Sequence, residues 1–545
     1  MEPEAVDLGG EGGGAPGVIG VVGAGTMGAG IAQLACRGGA RTLLHDPLGE
    51  ALARGAERVR EGLAKEAAKG KLTVEQAQAA AERLQPVDSL DALAPCELVI
   101  EAAPERLEIK HELYARLSKI VAEDCVLASN TSSLPITAIA DGATHPERVV
   151  GMHFFNPAPL MRLLEVIAGV LSSERALALA DATGRAMGKD VIRAADGPGF
   201  LVNRCNRPFG LEALRLLGEQ IADVETIDRV VRMGGGFRMG PFELSDLVGV
   251  DTGLDVSKSF YELSFGEPRW RPSPIQARQV AAGLHGRKTG RGYYDYSGDG
   301  PHRPPDPDPP RAVPPGEGEG LVVISGHGVL AEQLREAARG AGYDVQSPHA
   351  PQTELPALIV ECGEQGEEPP PRGGPRLVLC DRGSLASLDP GGPSVGFHAL
   401  PPFDECRLVE LTRGESSSPA AVSRAERFFA ALGKHAEWVG AAPGLVLGRI
   451  VCQVINESAF ALGEGVGSAG DIDKGMVLGL NHPRGPLAWA DKIGLDHVLA
   501  VLEGLCEEYR EERYRPAPAL QRLALAGRLG RDVGAGFFDY DVRPA

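Results

Sequence analysis

The chain has 545 residues, of which 43% are hydrophobic, and its formal net charge is −19. That length exceeds what one hydrophobic core supports, so several domains are expected, and the acidic balance argues against nucleic acid as the main partner. No apolar run is long enough to cross a bilayer, and the nine cysteines form no C-x-x-C pair that would predict a zinc site or a disulfide framework.

The first segment of the chain is acidic and glycine-rich, unlike a signal peptide. We therefore expect residues 1–16 to form a disordered tail. The scattered cysteines are typical of a reducing compartment, so a cytoplasmic location is expected.

The first folded segment reads as strand, glycine turn, helix and second strand. "VIGVVG" is a short β-branched run that predicts a buried strand, and "MGAGIAQLACRGG" predicts a helix. Gly23 allows the tight turn, Gly25 lets the backbone approach a pyrophosphate, and Gly28 permits close helix packing. The second strand, "ARTLLHD", ends in Asp46, a carboxylate that suits ribose hydroxyls and repels a 2′-phosphate. The alternative is a glycine turn without a ligand. The predicted NAD-binding residues here are Gly23, Gly25, Thr26, Met27, Gly28 and Asp46.

The two halves of the chain resemble each other. "GPGFLVNR" at 197 matches "APGLVLGR" at 442, and "RMGPFELSDLVGVD" at 238 matches "PRGPLAWADKIGLD" at 483. Gly240 pairs with Gly485 and Asp251 with Asp496, each 245 residues apart. A Pro- and Gly-rich linker at 297–320 separates the halves. We interpret the chain as a tandem duplication.

The predicted fold class is α/β, with a Rossmann-type dinucleotide-binding domain plus an all-α helical domain, the pair duplicated in tandem. The second Rossmann-like unit is degenerate. It keeps Gly326 and Gly328, but we expect Leu330 to stand in place of the third glycine, and no acid ends its second strand. The predicted domains are a tail (1–16), an NAD-binding domain (17–196), a helical substrate or dimerisation-type domain (197–296), a linker (297–320), a degenerate Rossmann-like domain (321–440) and a second helical domain (441–545).

Several motifs in residues 18–296 resemble those of the 3-hydroxyacyl-CoA dehydrogenases. They are "SNTSS", "HFFNP", "DGPGFLVNR", "MGPFEL" and "KTGRGYY", in that order. The duplicated form is similar to the longer bacterial members, some of which serve phenylacetate breakdown through 3-hydroxyadipyl-CoA. The resemblance implies NAD-dependent oxidation of (S)-3-hydroxyacyl-CoA to 3-oxoacyl-CoA, in fatty-acid or phenylacetate-type β-oxidation.

The oxidation of a secondary alcohol needs a base for the hydroxyl proton, and imidazole titrates near neutrality. His153 follows a predicted strand, and Glu165 lies 12 residues on in the strand-like "LLEVI". We expect Glu165 to bond the other ring nitrogen and to fix the tautomer. By resemblance, Ser132 holds the substrate oxygen, and Asn156 and Asn203 complete the polar wall; the alternative for Ser132 and Asn203 is a turn or capping role.

The resemblance implies further contacts. Glu105, Lys110, Ser132, Asn156 and Lys288 would line the cofactor, and Lys69, Ser132 and Asn203 would contact the substrate, Lys69 at the CoA phosphate. A solvated helix face explains Lys69 nearly as well.

The second copy keeps His398 and Glu410, 245 residues after His153 and Glu165. However, three other positions differ. The residues that align with Asn156, Asn203 and Lys288 are Pro401, Gly448 and Asp532. We predict a non-catalytic copy. Single-copy relatives dimerise through the helical domain, so we expect the two helical domains to pair internally. The sequence leaves open whether the chain also forms a homo-oligomer.

Two other functions are compatible with the sequence. One is a dehydrogenase of small 3-hydroxy acids or polyols without CoA. The other is a non-catalytic NAD-binding or structural protein. The sequence leaves the acyl chain length, the recognition of a terminal carboxylate and the pathway open.

Overall fold

The structure is a computed structural model that describes residues 14–311, 318–348, 350, 354–363 and 373–541. Most of the predicted tail, and residues 312–317 of the predicted linker, lie outside these ranges. The chain divides into two compact units, Met1–Leu201 with Val466–Gly479 and Val202–Gly465 with Leu480–Ala545.

The first sheet has eight strands in the order β3-β2-β1-β4-β5-β6-β7-β8. Neighbouring strands are parallel except β6 and β7, which are antiparallel. The strands are β1 Val18–Val22, β2 Arg41–His45, β3 Leu84–Val87, β4 Leu98–Glu101, β5 Val126–Ser129, β6 Val149–Phe154, β7 Leu163–Ala168 and β8 Asp190–Ala195. The predicted α/β class is confirmed. The strand order reverses direction between β1 and β4, which is where doubly wound sheets bind nucleotides.

Helices cover both faces of this sheet and bury its apolar strands. They are α1 Thr26–Arg37, α2 Gly49–Ala68, α3 Val74–Glu82, α4 Leu107–Ile120, α5 Ile136–Ala140 and α6 Glu174–Ala186. Helices α2 and α3 form an arm between β2 and β3. Thr73 caps α3 through a reciprocal capping box with Gln76.

The helical segment after β8 opens the second unit. Its helices are α7 Val202–Cys205, α8 Arg207–Gly218, α9 Val224–Gly235, α10 Pro241–Val248, α11 Val250–Leu263 and α12 Pro274–Ala281. Short 3-10 turns at Pro268–Trp270 and Arg287–Thr289 complete it.

The second sheet repeats the first in a shorter form, in the order β10-β9-β11-β12-β13-β14-β15, again with one antiparallel pair, β13 and β14. The elements are β9 Leu321–Ser325, α13 Val329–Ala341, β10 Asp344–Gln346, β11 Leu358–Glu361, β12 Arg376–Leu379, α14 Leu385–Leu388, β13 Val395–His398, β14 Leu408–Arg413, α15 Pro419–Ala431 and β15 His435–Trp438. Among the described residues, nothing in this copy corresponds to β3.

The second helical segment follows with α16 Leu447–Gly463, α17 Ala469–Leu480, α18 Pro486–Ile493, α19 Leu495–Tyr509 and α20 Pro518–Leu525. Helix α16 packs against α8, and the ion pairs around them repeat at the 245-residue offset. They are Arg204–Glu457, Arg204–Glu464, Arg449–Glu212 and Arg449–Glu219, at 2.9, 2.7, 3.0 and 2.6 Å. The contact is therefore pseudo-symmetric, since each helical segment gives the same residues to the other.

Candidate active site

The glycine turn after β1 has the geometry of a phosphate-binding turn. Gly23 has φ +99°, a conformation that favours glycine, and a Cβ on Gly28 would lie 1.7 Å from the Gly23 carbonyl oxygen. Around Gly25, in contrast, no heavy atom lies within 4 Å of a Cβ position. Gly25 precedes α1, and no acidic residue stands in the first turn of that helix. The open approach and the unopposed helix N-terminus fit a dinucleotide pyrophosphate.

The Asp46 carboxylate lies just beyond β2 and is held by the backbone. Its Oδ2 accepts from the N–H of Ala24 at 2.8 Å, and its Oδ1 accepts from the N–H of Leu48 at 2.9 Å. Each carboxylate oxygen has a further lone pair for a ribose hydroxyl. The residues around the turn therefore fit NAD.

His153 and Glu165 face each other across the antiparallel strands β6 and β7. The ring Nδ1 of His153 lies 2.6 Å from Glu165 Oε2. His153 is 6% exposed and Glu165 is fully buried. A carboxylate at this position accepts the Nδ1 proton, and so leaves Nε2 as the nitrogen that can take a proton.

The surroundings fix this pair. Glu165 Oε1 accepts from the backbone N–H of Leu201 at 3.2 Å. The rings of Phe155 and Phe200 lie 4.7 and 5.8 Å from the His153 ring. Within the described residues, His153 Nε2 forms no hydrogen bond. Nε2 is therefore the nitrogen of this pair that can accept a proton.

Two further predicted residues lie in the same unit. Ser132 is exposed in the loop after β5, and Asn156 is exposed after β6. The sequence missed Asn130, whose Oδ1 accepts from the N–H of Phe154 at 2.9 Å and ties the ends of β5 and β6 together. An asparagine directly after a strand was the available signal.

Glu105 organises the loop that carries Ser132. Its Oε1 accepts from the hydroxyl of Thr131 at 2.6 Å and from the N–H groups of Ser132 and Ser133 at 3.0 and 3.1 Å. Burial alone would raise the pKa of Glu105, but the bond from Thr131 and the charge of Lys110 outweigh it and lower that pKa. Glu105 is therefore an anion with a positioning role.

Lys110, a predicted cofactor-lining residue, is buried in a network of ion pairs. It is 1% exposed, and its ammonium lies 2.7 Å from Glu101 and 3.4 Å from Glu105. Glu101 also accepts from the hydroxyl of Ser129 at 2.6 Å. Lys110 therefore neutralises two carboxylates, one of which, Glu105, holds the loop of Ser132. No local pattern indicates Glu101, because its partners come from β5 and α4.

Lys69, Asn203 and Lys288 are the remaining predicted residues. Lys69 is exposed at the end of α2. Asn203 in α7 and Lys288 belong to the second compact unit. There Lys288 pairs with Asp251 at 2.6 Å.

The second copy does not reproduce the His–Glu contact. Glu410 accepts from the N–H groups of Val446 and Leu447 at 2.7 and 3.1 Å. His398 Nε2 instead lies 3.2 Å from His497 Nε2, and its buried Nδ1 has no hydrogen-bond partner among the residues that the structure describes. Burial lowers the pKa of His398 well below its usual value. A neutral, buried imidazole without the carboxylate is not a base that substrate can reach.

In the described part of the chain, no cluster of three or more His, Cys, Asp or Glu side chains could hold a metal ion. No helix in these ranges is both long and apolar enough to span a membrane.

Two family models match the chain. The NAD-binding domain of 3-hydroxyacyl-CoA dehydrogenase matches residues 18–197, and the C-terminal domain of the same enzymes matches both 199–296 and 444–540. The double match shows that the helical domain is present twice.

Individual relatives agree with these models. The chain is 36% identical over 507 residues to 3-hydroxyadipyl-CoA dehydrogenase of Escherichia coli, covering 93% of this chain and 97% of that protein. A probable 3-hydroxybutyryl-CoA dehydrogenase of Deinococcus radiodurans is 40% identical and matches 51% of this chain and 99% of its own length. The crystal structure of 3-hydroxybutyryl-CoA dehydrogenase from Escherichia coli has a TM-score of 0.78, at 34% identity, and covers 94% of this chain and 98% of its own. The chain therefore belongs to the 3-hydroxyacyl-CoA dehydrogenase family and is an NAD-dependent oxidoreductase.

Proposed function

We propose that His153 is the general base in the oxidation of a short (S)-3-hydroxyacyl-CoA, and that Glu165 positions it. The observation that carries this proposal is the 2.6 Å contact between His153 Nδ1 and Glu165 Oε2, with Nε2 free of hydrogen bonds to the described residues. The names of the relatives support a short acyl chain, since they act on 3-hydroxybutyryl-CoA and 3-hydroxyadipyl-CoA.

Each residue of the site has its own role in the oxidation. His153 Nε2 takes the proton of the C3 hydroxyl while the C3–H bond breaks and a C3 carbonyl forms. Glu165 stabilises the resulting imidazolium and holds the ring in one orientation. Bound NAD supplies the acceptor for the hydride and its electron pair. Ser132, Asn156 and Asn203 would hold the C3 oxygen, and the turn at Gly23–Gly28 with Asp46 would hold the cofactor.

Replacing His153 by Ala tests the base. We expect kcat for (S)-3-hydroxybutyryl-CoA to fall by about two to four orders of magnitude, the usual contribution of a positioned base, with KM little changed. His398→Ala is the matched control, because His398 lies in the copy that lacks the His–Glu contact. This variant should have a turnover close to that of the wild type. Near-wild-type turnover of His153→Ala would remove His153 from the mechanism.

Glu165→Gln tests the positioning role separately. In the oxidation direction, the acid limb of the pH profile of kcat should move to lower pH, since the imidazolium loses its carboxylate. A fall in activity with an unmoved profile would assign Glu165 a structural role only.

We also propose that the second helical segment is the internal partner of the first. The support is the set of ion pairs that repeats at the 245-residue offset, in which Arg204 of α7 pairs with Glu457 of α16 and Arg449 of α16 pairs with Glu212 of α8. In an isologous contact the same residues appear on both sides. The second copy then acts in place of a second subunit.

A further inference from the structure

Arg207 is held in a fixed position with part of its guanidinium unused. Its Nε donates to the carbonyl of Asn203 at 3.3 Å, and its Nη1 donates to Ser257 Oγ at 3.4 Å. The guanidinium lies over the ring of Phe260, 4.9 Å from its centroid. Nη2 makes no hydrogen bond to any residue that the structure describes. An arginine presents five N–H donors in a planar fork, so a large part of this fork is free.

Arg207 also lacks a counter-charge, unlike its neighbours. All of residues 202–296 are described, and each other arginine there that is not exposed pairs with at least one carboxylate. These are Arg204, Arg215, Arg229, Arg232 and Arg269. No carboxylate of the described residues lies within ion-pair distance of Arg207.

Withdrawing a cation from water without a counter-charge is costly. Burial lowers the pKa of Arg207 to about 10, so the side chain is still charged at neutral pH. A fixed, charged and unpaired guanidinium is complementary to a ligand anion.

The second copy shows that packing of the helices does not require this cation. At the 245-residue offset, the cluster of Asn203, Arg207, Ser257 and Phe260 is replaced by small or apolar residues. They are Gly448, Cys452, Leu502 and Leu505, all buried. The interface arginine, in contrast, is kept as Arg204 and Arg449. The polar cluster belongs only to the copy that retains the cofactor turn.

We propose that Arg207 binds the terminal carboxylate of a short dicarboxylic 3-hydroxyacyl-CoA. The inference rests on the proposed function, in which Asn203 contacts the C3 oxygen of the substrate. Because Arg207 Nε donates to the backbone carbonyl of Asn203 at 3.3 Å, an anion bound by the free end of Arg207 lies within a few methylene lengths of a substrate oxygen held by Asn203. The ring of Phe260 offers an apolar surface to those methylenes, and the free fork suits a carboxylate.

The phosphates of CoA are the other anions that a substrate carries. They stand at the far end of the pantetheine arm, away from C3 and hence from Asn203. The acyl carboxylate is therefore the better match. The two sources differ in one testable respect, because every CoA thioester carries the phosphates and only a dicarboxylic one carries the carboxylate.

The test compares two substrates of equal chain length, 3-oxoadipyl-CoA and 3-oxohexanoyl-CoA, by NADH oxidation. The full-length wild type should have the higher kcat/KM with 3-oxoadipyl-CoA. Arg207→Gln should lower kcat/KM for that substrate about 10- to 100-fold, the range expected for losing a hydrogen bond between charged groups. It should leave 3-oxohexanoyl-CoA nearly unchanged or improved. Arg207→Lys, which keeps the charge without the fork, should retain part of the preference.

Arg278→Gln is the matched control, since Arg278 is an exposed arginine of the same helical segment. It should alter neither substrate. Equal losses with both substrates at an unchanged thermal midpoint, together with weaker inhibition by free CoA, would assign Arg207 to a phosphate and overturn the proposal. No loss with either substrate would also overturn it. If Arg207→Gln does not fold, an Arg207→Lys variant with the full wild-type preference overturns it instead. A wild type inactive with both substrates would overturn the proposed function itself.

Discussion

At the scale of single residues, one carboxylate position has two uses in the two copies. Glu165 and Glu410 each accept a backbone N–H from the loop that follows the last strand, from Leu201 and Val446. In the first copy the other oxygen binds His153, and in the second it binds a further backbone N–H. The shared contact is structural, so a retained Glu does not by itself indicate a retained active site.

We expect Asp46 to determine which dinucleotide the protein prefers. A 2′-phosphate placed beside this carboxylate would bring like charges together, which costs several kcal/mol. We expect kcat/KM with NADH to exceed that with NADPH by about two orders of magnitude or more. Asp46→Ser, which keeps a hydroxyl for the ribose, should narrow the ratio. Equal efficiency of the wild type with both cofactors would show that Asp46 does not contact the ribose.

Site residues that lie a short distance apart along the chain could be predicted from the sequence. Glu165 follows His153 by twelve positions, a spacing that suits two strands joined by a loop, and the antiparallel register then places the two residues opposite each other. The network of Glu101, Lys110 and Glu105 was not predictable in this way. Its members meet only when β4 and α4 pack, and their burial is decided by the whole sheet.

At the scale of elements, the two glycine turns differ in how close the helix comes. In the first copy Gly28 lies so near the Gly23 carbonyl that a Cβ would not fit. The residue of the second copy that corresponds to Gly28 is Ala331, buried in α13, and not Leu330 as predicted. That helix therefore cannot approach its turn equally closely. Arg335 also donates to the carbonyl of Gly326 at 2.5 Å. Around Gly328, as around Gly25, no heavy atom lies within 4 Å of a Cβ position, so the two turns differ by Ala331 and this arginine and not by a closed approach.

This difference predicts one NADH per chain. Calorimetric titration of the full-length protein should give a stoichiometry near one, and Gly25→Val should abolish binding, because the side chain would fill the approach to the pyrophosphate. Gly328→Val, the same change in the second copy, is the matched control and should leave the stoichiometry unaltered. Two NADH sites per chain would contradict the prediction.

The elements themselves were largely predictable. Short apolar runs predicted β1, β2 and β7 because strands buried on both faces need apolar residues throughout. Strand β3 was missed, since "LQPV" contains a proline and a glutamine and occupies the sheet edge, where such residues are tolerated. Its position depends on pairing with β2, which no local pattern encodes.

At the scale of the whole molecule, each helical segment contributes a helix that packs against the α/β sheet of the other copy. In the first unit, the N–H of Ala195 beyond β8 donates to the carbonyl of Val466 at 2.8 Å, and a Cβ on Gly479 in α17 would touch Leu163. In the second unit, helix α9 of the first helical segment packs against β14. Each sheet is therefore completed by a helix from the other copy, as in an exchange between subunits.

Removal of residues 441–545 should accordingly damage the catalytic copy. The truncated chain would lose α17 from the first unit and α16 from its contact with α8, leaving buried apolar surface exposed and Glu212 without Arg449. We expect aggregation, or a clear fall in thermal midpoint, measured by light scattering and calorimetry.

Arg449→Met weakens the same contact in a chain of full length. Arg449 is fully buried against Glu212 and Glu219, and removing one partner of a buried ion pair costs about 3–5 kcal/mol. The variant should therefore unfold at a lower temperature while the folded enzyme keeps its kcat/KM, because Arg449 has no place in the proposed chemistry.

A truncated chain that is stable, monomeric and fully active would show that the second copy is not the internal partner of the first. An Arg449→Met variant as stable as the wild type would show that the repeated ion pairs do not hold α8 to α16.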